Sequence, residues 1–370
     1  MEHELEEKTQ RVATLARERD LAGIVLVSQP GFAWLTGGGS NRIDGSRENG
    51  SGALLVSADA RRFVIANEIE MPRLIGEELA EGEWEPLSYP WAEEHSRPSI
   101  VKQLATSKAV TGRIGADWPL ADCVTVDQDV ARLRAPLTSS EVERYRALGA
   151  DAGRVMGDVA RAVCPGMTES EIARRLYDAA LGIGGRATVV LVAADDRIAR
   201  FRHPMPTGRP WNRIVMLVAC IQRAGLVVAL SRIVSVGPPD ADVSRRTEAA
   251  AEVFGRLLDA TRLGARGRDL YAVAQRAYRD VGFEGEERRH HQGGAIGYRS
   301  REWVAHPVSD EIVQRRQAFA WNPSITGTKV EDTVLLTENG IELITATDGW
   351  PALMLAAQGR SHAAAGILRV

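Results

Sequence analysis

At 370 residues, 44% of them hydrophobic and 26% charged, the chain has the composition of a globular protein large enough for two cores. A formal net charge of −3, with arginines scattered among acids, gives no basic face and predicts no nucleic-acid partner. No apolar run reaches the roughly 18 residues of a membrane span, and the separated Cys123, Cys164 and Cys220 predict reduced thiols in a cytoplasmic protein.

The first part of the chain predicts a small α/β domain over residues 1–134. A charged helix at about 3–19 leads into the buried-strand pattern AGIVLVS. A Gly-rich loop, TGGGSNRIDGSRENG, then separates it from the strands GALLVS and RFVIAN and the helix EIEMPRLIGEEL. Strands that alternate with helices imply a sheet covered by helices.

The second part, residues 135–350, predicts a larger α/β domain. Capping boxes at Ser140 with Glu143 and at Thr168 with Glu171 each open a helix. The strand ATVVLVAA, the loop DDRIARFRHPMPTGRPW and a hairpin over 212–237 follow. Two more helices, the loop HHQGGAIGYRSREW and further strands repeat this order, which predicts an internal α/β repeat. The apolar tail, 351–370, is expected to pack on the body or on a partner.

Four of these features together carry a resemblance. They are RHPMPT around His203, the spacing from Gly225 to Arg232, the histidine loop at 290–297, and EDTVLLTENGIELIT from Glu331. Over about residues 5–350 the chain resembles the pita-bread family of methionine aminopeptidases, Xaa-Pro aminopeptidases and creatinase. The resemblance implies an α/β (α+β) protein, with a creatinase-like N-terminal domain before a pita-bread domain. It also implies a homodimer in which the N-terminal domain lies near the partner's pocket.

The metal-binding pattern of that family is mostly broken here. Its metal-dependent members hold two ions with two Asp, one His and two Glu. The resemblance places Val218 and Ala229 at the Asp positions and Asn322 at the first Glu. It places His291, or His290 with a shift of one, at the His, and Glu331 at the second Glu. Because carboxylates crowded together without a cation repel each other, neutral replacements are the expected result of metal loss. We therefore expect no metal cofactor.

Several ionisable or hydrogen-bonding residues remain in the loops that ring the family's pocket. By analogy with creatinase, which works without metal, His203 would be the general acid/base and Glu331 the anchor for a cationic or N–H-rich group. His291 and Tyr298 would polarise a carbonyl or stabilise a leaving group. Arg232 is as consistent with a structural ion pair as with a catalytic role. The remaining predicted binding residues are His290, Glu302, Asn322, Arg202, Arg232, Arg42 and Arg47, the last two reaching across a dimer interface.

Three functions are consistent with this sequence. The favoured one is a metal-independent enzyme that uses histidine acid/base chemistry on a small nitrogen-containing molecule. Its reaction would be C–N hydrolysis, or an elimination or rearrangement in biosynthesis. The second is an Xaa-Pro-type metallopeptidase with substitute ligands from His290, His291, Glu302 and Glu331. The third is a noncatalytic binding module.

Overall fold

The structure is a computed structural model that describes residues 2–94, 96–108, 110–357 and 360–370. The chain forms two compact units: Met1–Ser140 with Ala224–Leu226, and Glu141–Arg223 with Val227–Val370. Within the described residues, no helix has both the length and the apolar composition needed to cross a bilayer.

The α-helices are α1 Glu2–Glu18, α2 Gln29–Thr36, α3 Met71–Arg73, α4 Ile100–Ser107, α5 Asp127–Arg134, α6 Ser139–Arg161, α7 Glu169–Gly182, α8 Arg197–Arg200, α9 Ala241–Ala260 and α10 Gly267–Asp280. The strands are β1 Gly23–Ser28, β2 Asn49–Ser57, β3 Arg62–Asn67, β4 Glu85–Tyr89, β5 Ile114–Ala116, β6 Val124–Thr125, β7 Arg186–Ala194, β8 Ile214–Arg223, β9 Leu226–Ser235, β10 Gly293–Ile296, β11 Trp303–Val304, β12 Gln317–Trp321, β13 Ser324–Ile325, β14 Thr328–Lys329, β15 Asp332–Thr337, β16 Gly340–Leu343, β17 Ala352–Ala357, β18 Arg360–Ala365 and β19 Ile367–Arg369.

The first unit is a six-stranded mixed sheet in the order β4-β3-β2-β1-β5-β6. All six residues of β1 are buried, as its uninterrupted apolar pattern predicts for a central strand. Its core contains Val25, Leu55, Phe63, Ile65 and Ile114. This is the small α/β domain that the sequence predicts.

The second unit contains the repeat predicted from the element order. Helices α6 and α7 precede the sheet β19-β9-β8-β7, and helices α9 and α10 precede the sheet β11-β10-β12-β15-β16. The hairpin predicted over 212–237 is β8 and β9, with its turn at Ala224 and Gly225, both at positive φ. The C-terminal tail packs on this unit, because β19 pairs in parallel with β9.

Two helix starts differ from the sequence prediction. The helix α6 begins at Ser139, so Ser140 lies inside the first turn and does not cap it. Thr138 and Glu141 have the same capping spacing two residues earlier, which fits a helix that begins at Ser139. The helix predicted from EIEMPRLIGEEL begins only at Met71, because Pro72 has no N–H to donate and is accepted only in the first turn of a helix.

Candidate functional site

Three histidines from two loops of the second unit meet in one cluster. His203 follows α8, and His290 and His291 precede β10. The Nε2 atoms of His203 and His290 are 3.0 Å apart, and the rings of His290 and His291 stack with centroids 4.5 Å apart. One nitrogen from each of the three rings lies within 4.8 Å of the others. His203, His290 and His291 were each predicted from the sequence as site residues, and the fold brings them together.

The close approach of β10 and β12 holds the histidine loop in place. Gly293 has φ +102°, and a Cβ there would lie 2.0 Å from the Ala320 carbonyl oxygen, so only glycine fits. One residue earlier, the backbone oxygen of Gln292 accepts a hydrogen bond of 3.0 Å from the Asn322 N–H. The side chain of Gln292 is fully buried and accepts from the Tyr278 hydroxyl at 2.7 Å. The backbone therefore places Gln292, the residue after His291, opposite Asn322.

Glu331 lies in the same site and pairs with two cations, Lys329 and Arg301, that were not predicted as site residues. Glu331 is 2% exposed, and Lys329 Nζ lies 3.1 Å from its Oε2. Arg301 Nη2 lies 3.4 Å from its Oε1. Burial alone would raise the pKa of Glu331, but the charges of Lys329 and Arg301 outweigh burial and lower it. The Glu331 carboxylate is therefore ionised and already paired with cations of the protein itself.

The imidazoles of the cluster carry no charge at neutral pH. Burial, reinforced by Lys329, lowers the pKa of His290 to about 2. Burial, followed by Arg301 and Lys329, lowers the pKa of His291 to about 4. The pKa of His203 is also lowered, mainly by burial and then by Lys329. Neutral imidazoles can accept a proton or bind a metal ion through a ring nitrogen.

Apolar packing surrounds the two positions at which the resemblance predicts metal-binding aspartates. Val218 belongs to an apolar cluster with Leu191, Met216 and Ile233. Ala229 is fully buried, and its backbone N–H and carbonyl both bond to the Thr333 hydroxyl at 2.8 and 2.9 Å. Asn322 offers a buried amide oxygen for which the described residues supply no hydrogen-bond partner. Side chains of this kind do not fit a two-ion centre, which needs several anionic ligands.

Other predicted site residues hold the structure around the cluster. Arg202 pairs with Glu286 and donates to the Ser324 and Thr326 hydroxyls, both at 3.0 Å. Glu302 Oε1 accepts from the backbone N–H groups of Tyr298 and Arg299 at 3.0 and 3.1 Å. Through these contacts Arg202 and Glu302 stabilise the loops around the cluster.

Tyr298 and Arg232 also make buried contacts of their own. The Tyr298 hydroxyl donates to Glu141 Oε1 at 2.6 Å. Arg232 is 2% exposed and lies 3.0 Å from Asp332, so it is the structural ion-pair partner that the sequence allowed. Arg42 and Arg47 lie in an exposed loop of the first unit, where Arg47 pairs with Asp44 at 3.3 Å. Their role at a dimer interface stays a prediction.

A separate cavity of about 370 Å³ lies in the second unit, lined by Pro239, Thr247, Pro351, Leu353 and Leu368 among others. None of the predicted site residues lines this cavity. The candidate site is therefore defined by the histidine cluster and its charged neighbours.

Solved structures share this fold over nearly the whole chain. Dipeptidase PepE from Mycobacterium ulcerans superposes with a TM-score of 0.77 at 20% identity and covers 100% of this chain and 99% of that one. An Xaa-Pro dipeptidase from Bacillus anthracis gives 0.76 at 17% identity, covering 99% and 100%. The N-terminal domain of the FACT complex subunit SPT16 from chickpea gives 0.70 at 10% identity, covering 93% and 96%. At these identities the likeness concerns the fold alone.

Sequence relatives match shorter segments. The probable dipeptidase PepE of Mycobacterium tuberculosis is 26% identical over 236 residues, which are 60% of this chain and 63% of that protein. The Xaa-Pro dipeptidase of Pyrococcus furiosus is 27% identical over 125 residues, 32% of this chain and 36% of that protein. The model of metallopeptidase family M24 matches residues 143–338, which include every member of the histidine cluster, Lys329 and Glu331. The chain therefore belongs to metallopeptidase family M24.

Proposed function

We propose that this protein hydrolyses a C–N bond in a small, peptide-like substrate and that the histidine cluster transfers the protons. The observation that carries the proposal is the meeting of three neutral imidazoles with a buried, paired Glu331 inside the segment matched by the family. Two relatives are named as dipeptidases, which favours an amide bond as the one broken.

In this proposal His203 takes a proton from water as the hydroxyl adds to the carbonyl carbon. The C–N bond then breaks, and the same proton passes to the departing nitrogen, so the step consumes one water and releases an acid and an amine. His203 is suited to the role because it is the exposed member of the cluster, bonded through Nε2 to the buried His290. Val218, Ala229 and the Lys329–Glu331 pair support a version of this reaction without paired ions.

A metallopeptidase with substitute ligands is the second candidate, and family membership favours it. Three histidines are a known ligand set for a single catalytic zinc ion. His203, His290 and His291 would hold the ion, which would supply a polarised water. Glu302 and Glu331, two of the ligands predicted from sequence, instead bond to backbone N–H groups and to Lys329, respectively.

Turnover and metal content together separate the candidates. Purified protein is assayed for amine release from a dipeptide panel that includes Xaa-Pro, before and after dialysis against a chelator, with metal content measured in parallel. Turnover that survives dialysis with less than a stoichiometric ion supports the first candidate. Turnover that depends on one retained ion per chain supports the second.

His203→Ala is expected to lower kcat/KM by about 10²- to 10⁴-fold in either case. The exposed His306 gives the matched control, and His306→Ala should leave the rate unchanged. If the dipeptide panel shows no turnover with or without added divalent metal, both candidates are wrong.

A further inference from the structure

The Lys329 ammonium is buried with most of its hydrogen-bonding capacity unused. Its side chain is 5% exposed, and Glu331 Oε2, at 3.1 Å, is its one side-chain partner within the described part of the chain. An ammonium group carries three N–H donors, so at least two of them have no acceptor among the residues that the structure describes. Buried donors normally have partners, and their absence indicates that something else supplies the acceptors.

Other polar atoms of the same site also lack partners. Arg301, whose side chain is 18% exposed, donates through Nη1 to the Ser300 carbonyl, but its Nε–H is buried and unbonded. The Nδ1 atoms of His290 and His291 and the side-chain oxygen of Asn322 are likewise buried without a partner among the described residues. A neutral imidazole can carry its proton on either nitrogen, and a rotated Asn322 amide presents its N–H₂ in place of the oxygen. The site can therefore offer several donors at once.

Two cationic side chains face one carboxylate in this part of the site. Lys329 Nζ lies 3.1 Å and Arg301 Nη2 lies 3.4 Å from the carboxylate oxygens of Glu331. Glu331 can therefore neutralise only one of the two cations. Glu302, the next carboxylate along the chain from Arg301, accepts from the backbone N–H groups of Tyr298 and Arg299. An uncompensated buried charge is costly, and a bound anion would remove that cost.

We propose that Lys329 and Arg301 form a binding site for an oxyanion beside the histidine cluster, and that the substrate of this enzyme carries such a group, a carboxylate or a phosphate. The inference rests on the proposed function in taking the same site as the substrate pocket, and it adds the chemical class of the substrate. It also distinguishes this site from a cation site, because Lys329 and Arg301 would repel a divalent ion bound beside them.

Binding of simple anions tests the inference without any turnover. The shift of the unfolding midpoint is measured against sodium acetate and against sodium phosphate, with sodium chloride keeping the ionic strength constant. Saturable stabilisation by acetate assigns a carboxylate, and stabilisation by phosphate assigns a phosphoryl group. If neither anion stabilises the protein more than chloride does, the oxyanion site does not exist.

Two substitutions should move the anion affinity in opposite directions. Lys329→Met should weaken binding by about tenfold or more, because it removes a charge-assisted hydrogen bond. Glu331→Gln should tighten binding, because it removes the competing negative charge. Arg154→Met is the matched control, since it deletes one exposed positive charge on α6 and should change nothing.

If Lys329→Met does not fold, the change in anion affinity caused by Glu331→Gln still tests the inference. An unchanged or weakened anion affinity in Glu331→Gln overturns the inference. So does one zinc or manganese ion per chain that is retained through dialysis while the anions have no effect. Because none of these readouts needs a substrate, an inactive dipeptide panel would sink the proposed function and the assignment of the substrate, but it would leave the anion site itself standing.

Discussion

The pair of Lys329 and Glu331 shows that the spacing of two residues in extended backbone can predict a contact between their side chains. Positions i and i+2 of extended backbone face the same side, so the letters KVE already place the ammonium beside the carboxylate. This contact is therefore encoded in the local sequence. Arg301 gave no such signal, because a contact between positions 30 residues apart depends on the loop after β10. Spacing along the chain is therefore enough to predict the contact of Lys329 with Glu331, but not that of Arg301.

Adjacent carboxylates at 331 and 332 should respond very differently to neutralisation. Asp332→Asn is expected to cost about 3–5 kcal/mol of unfolding free energy, because it leaves the buried Arg232 without its partner. Glu331→Gln should cost less, because Lys329 and Arg301 then have room to recruit water or an anion. Urea denaturation of the two variants measures the difference. Equal losses of stability would contradict this division of roles.

At the scale of elements, buried strands were the easiest feature to predict. The strands β1 and β7 to β9 follow their apolar runs, and Thr168 with Glu171 forms the capping box expected before α7. The two helix starts that failed were places where overlapping capping patterns or a proline shifted the boundary. How β10 meets β12 could not be predicted, because strand pairing is a long-range choice that local sequence does not encode.

Gly293 is the element-scale position where a methyl group should do the most damage. Gly293→Ala would combine a positive φ with a contact of 2.0 Å to the Ala320 carbonyl, and β10 would have to separate from β12. Gly282 at the end of α10 is the matched control, because it has φ +80° and open space around its Cβ position. Gly282→Ala should cost about 1–2 kcal/mol from backbone strain alone. Gly293→Ala should lose clearly more in urea denaturation and should also lose activity, and similar losses for both variants would argue against this role.

For the whole molecule, the histidine cluster links stability to pH. The unfolded imidazoles bind protons near pH 6.5, whereas folded His291 and His290 bind them only at about 4 and about 2. The unfolded state therefore takes up more protons as the pH falls below 6.5, and folding stability must decline. Each imidazole adds a slope of at most about 1.4 kcal/mol per pH unit.

Urea midpoints at pH 7, 6, 5 and 4 measure this slope. A variant with His290→Asn and His291→Asn should lose less stability than the wild type between pH 6.5 and pH 4, while exposed His306→Asn should follow the wild type. Parallel curves for the wild type and the double variant would show that the cluster is not protected from protonation.

The pairing of β19 with β9 also affects how the molecule behaves in solution. All ten residues of β9 are buried, and without Ile367–Arg369 this apolar strand would become the edge of its sheet. The N–H and C=O groups of Ile233–Ser235, which β19 now covers, would then be a template for other chains to join by β-pairing. We therefore expect these three residues of β19 to reduce aggregation through the sheet that contains Val218 and Ala229.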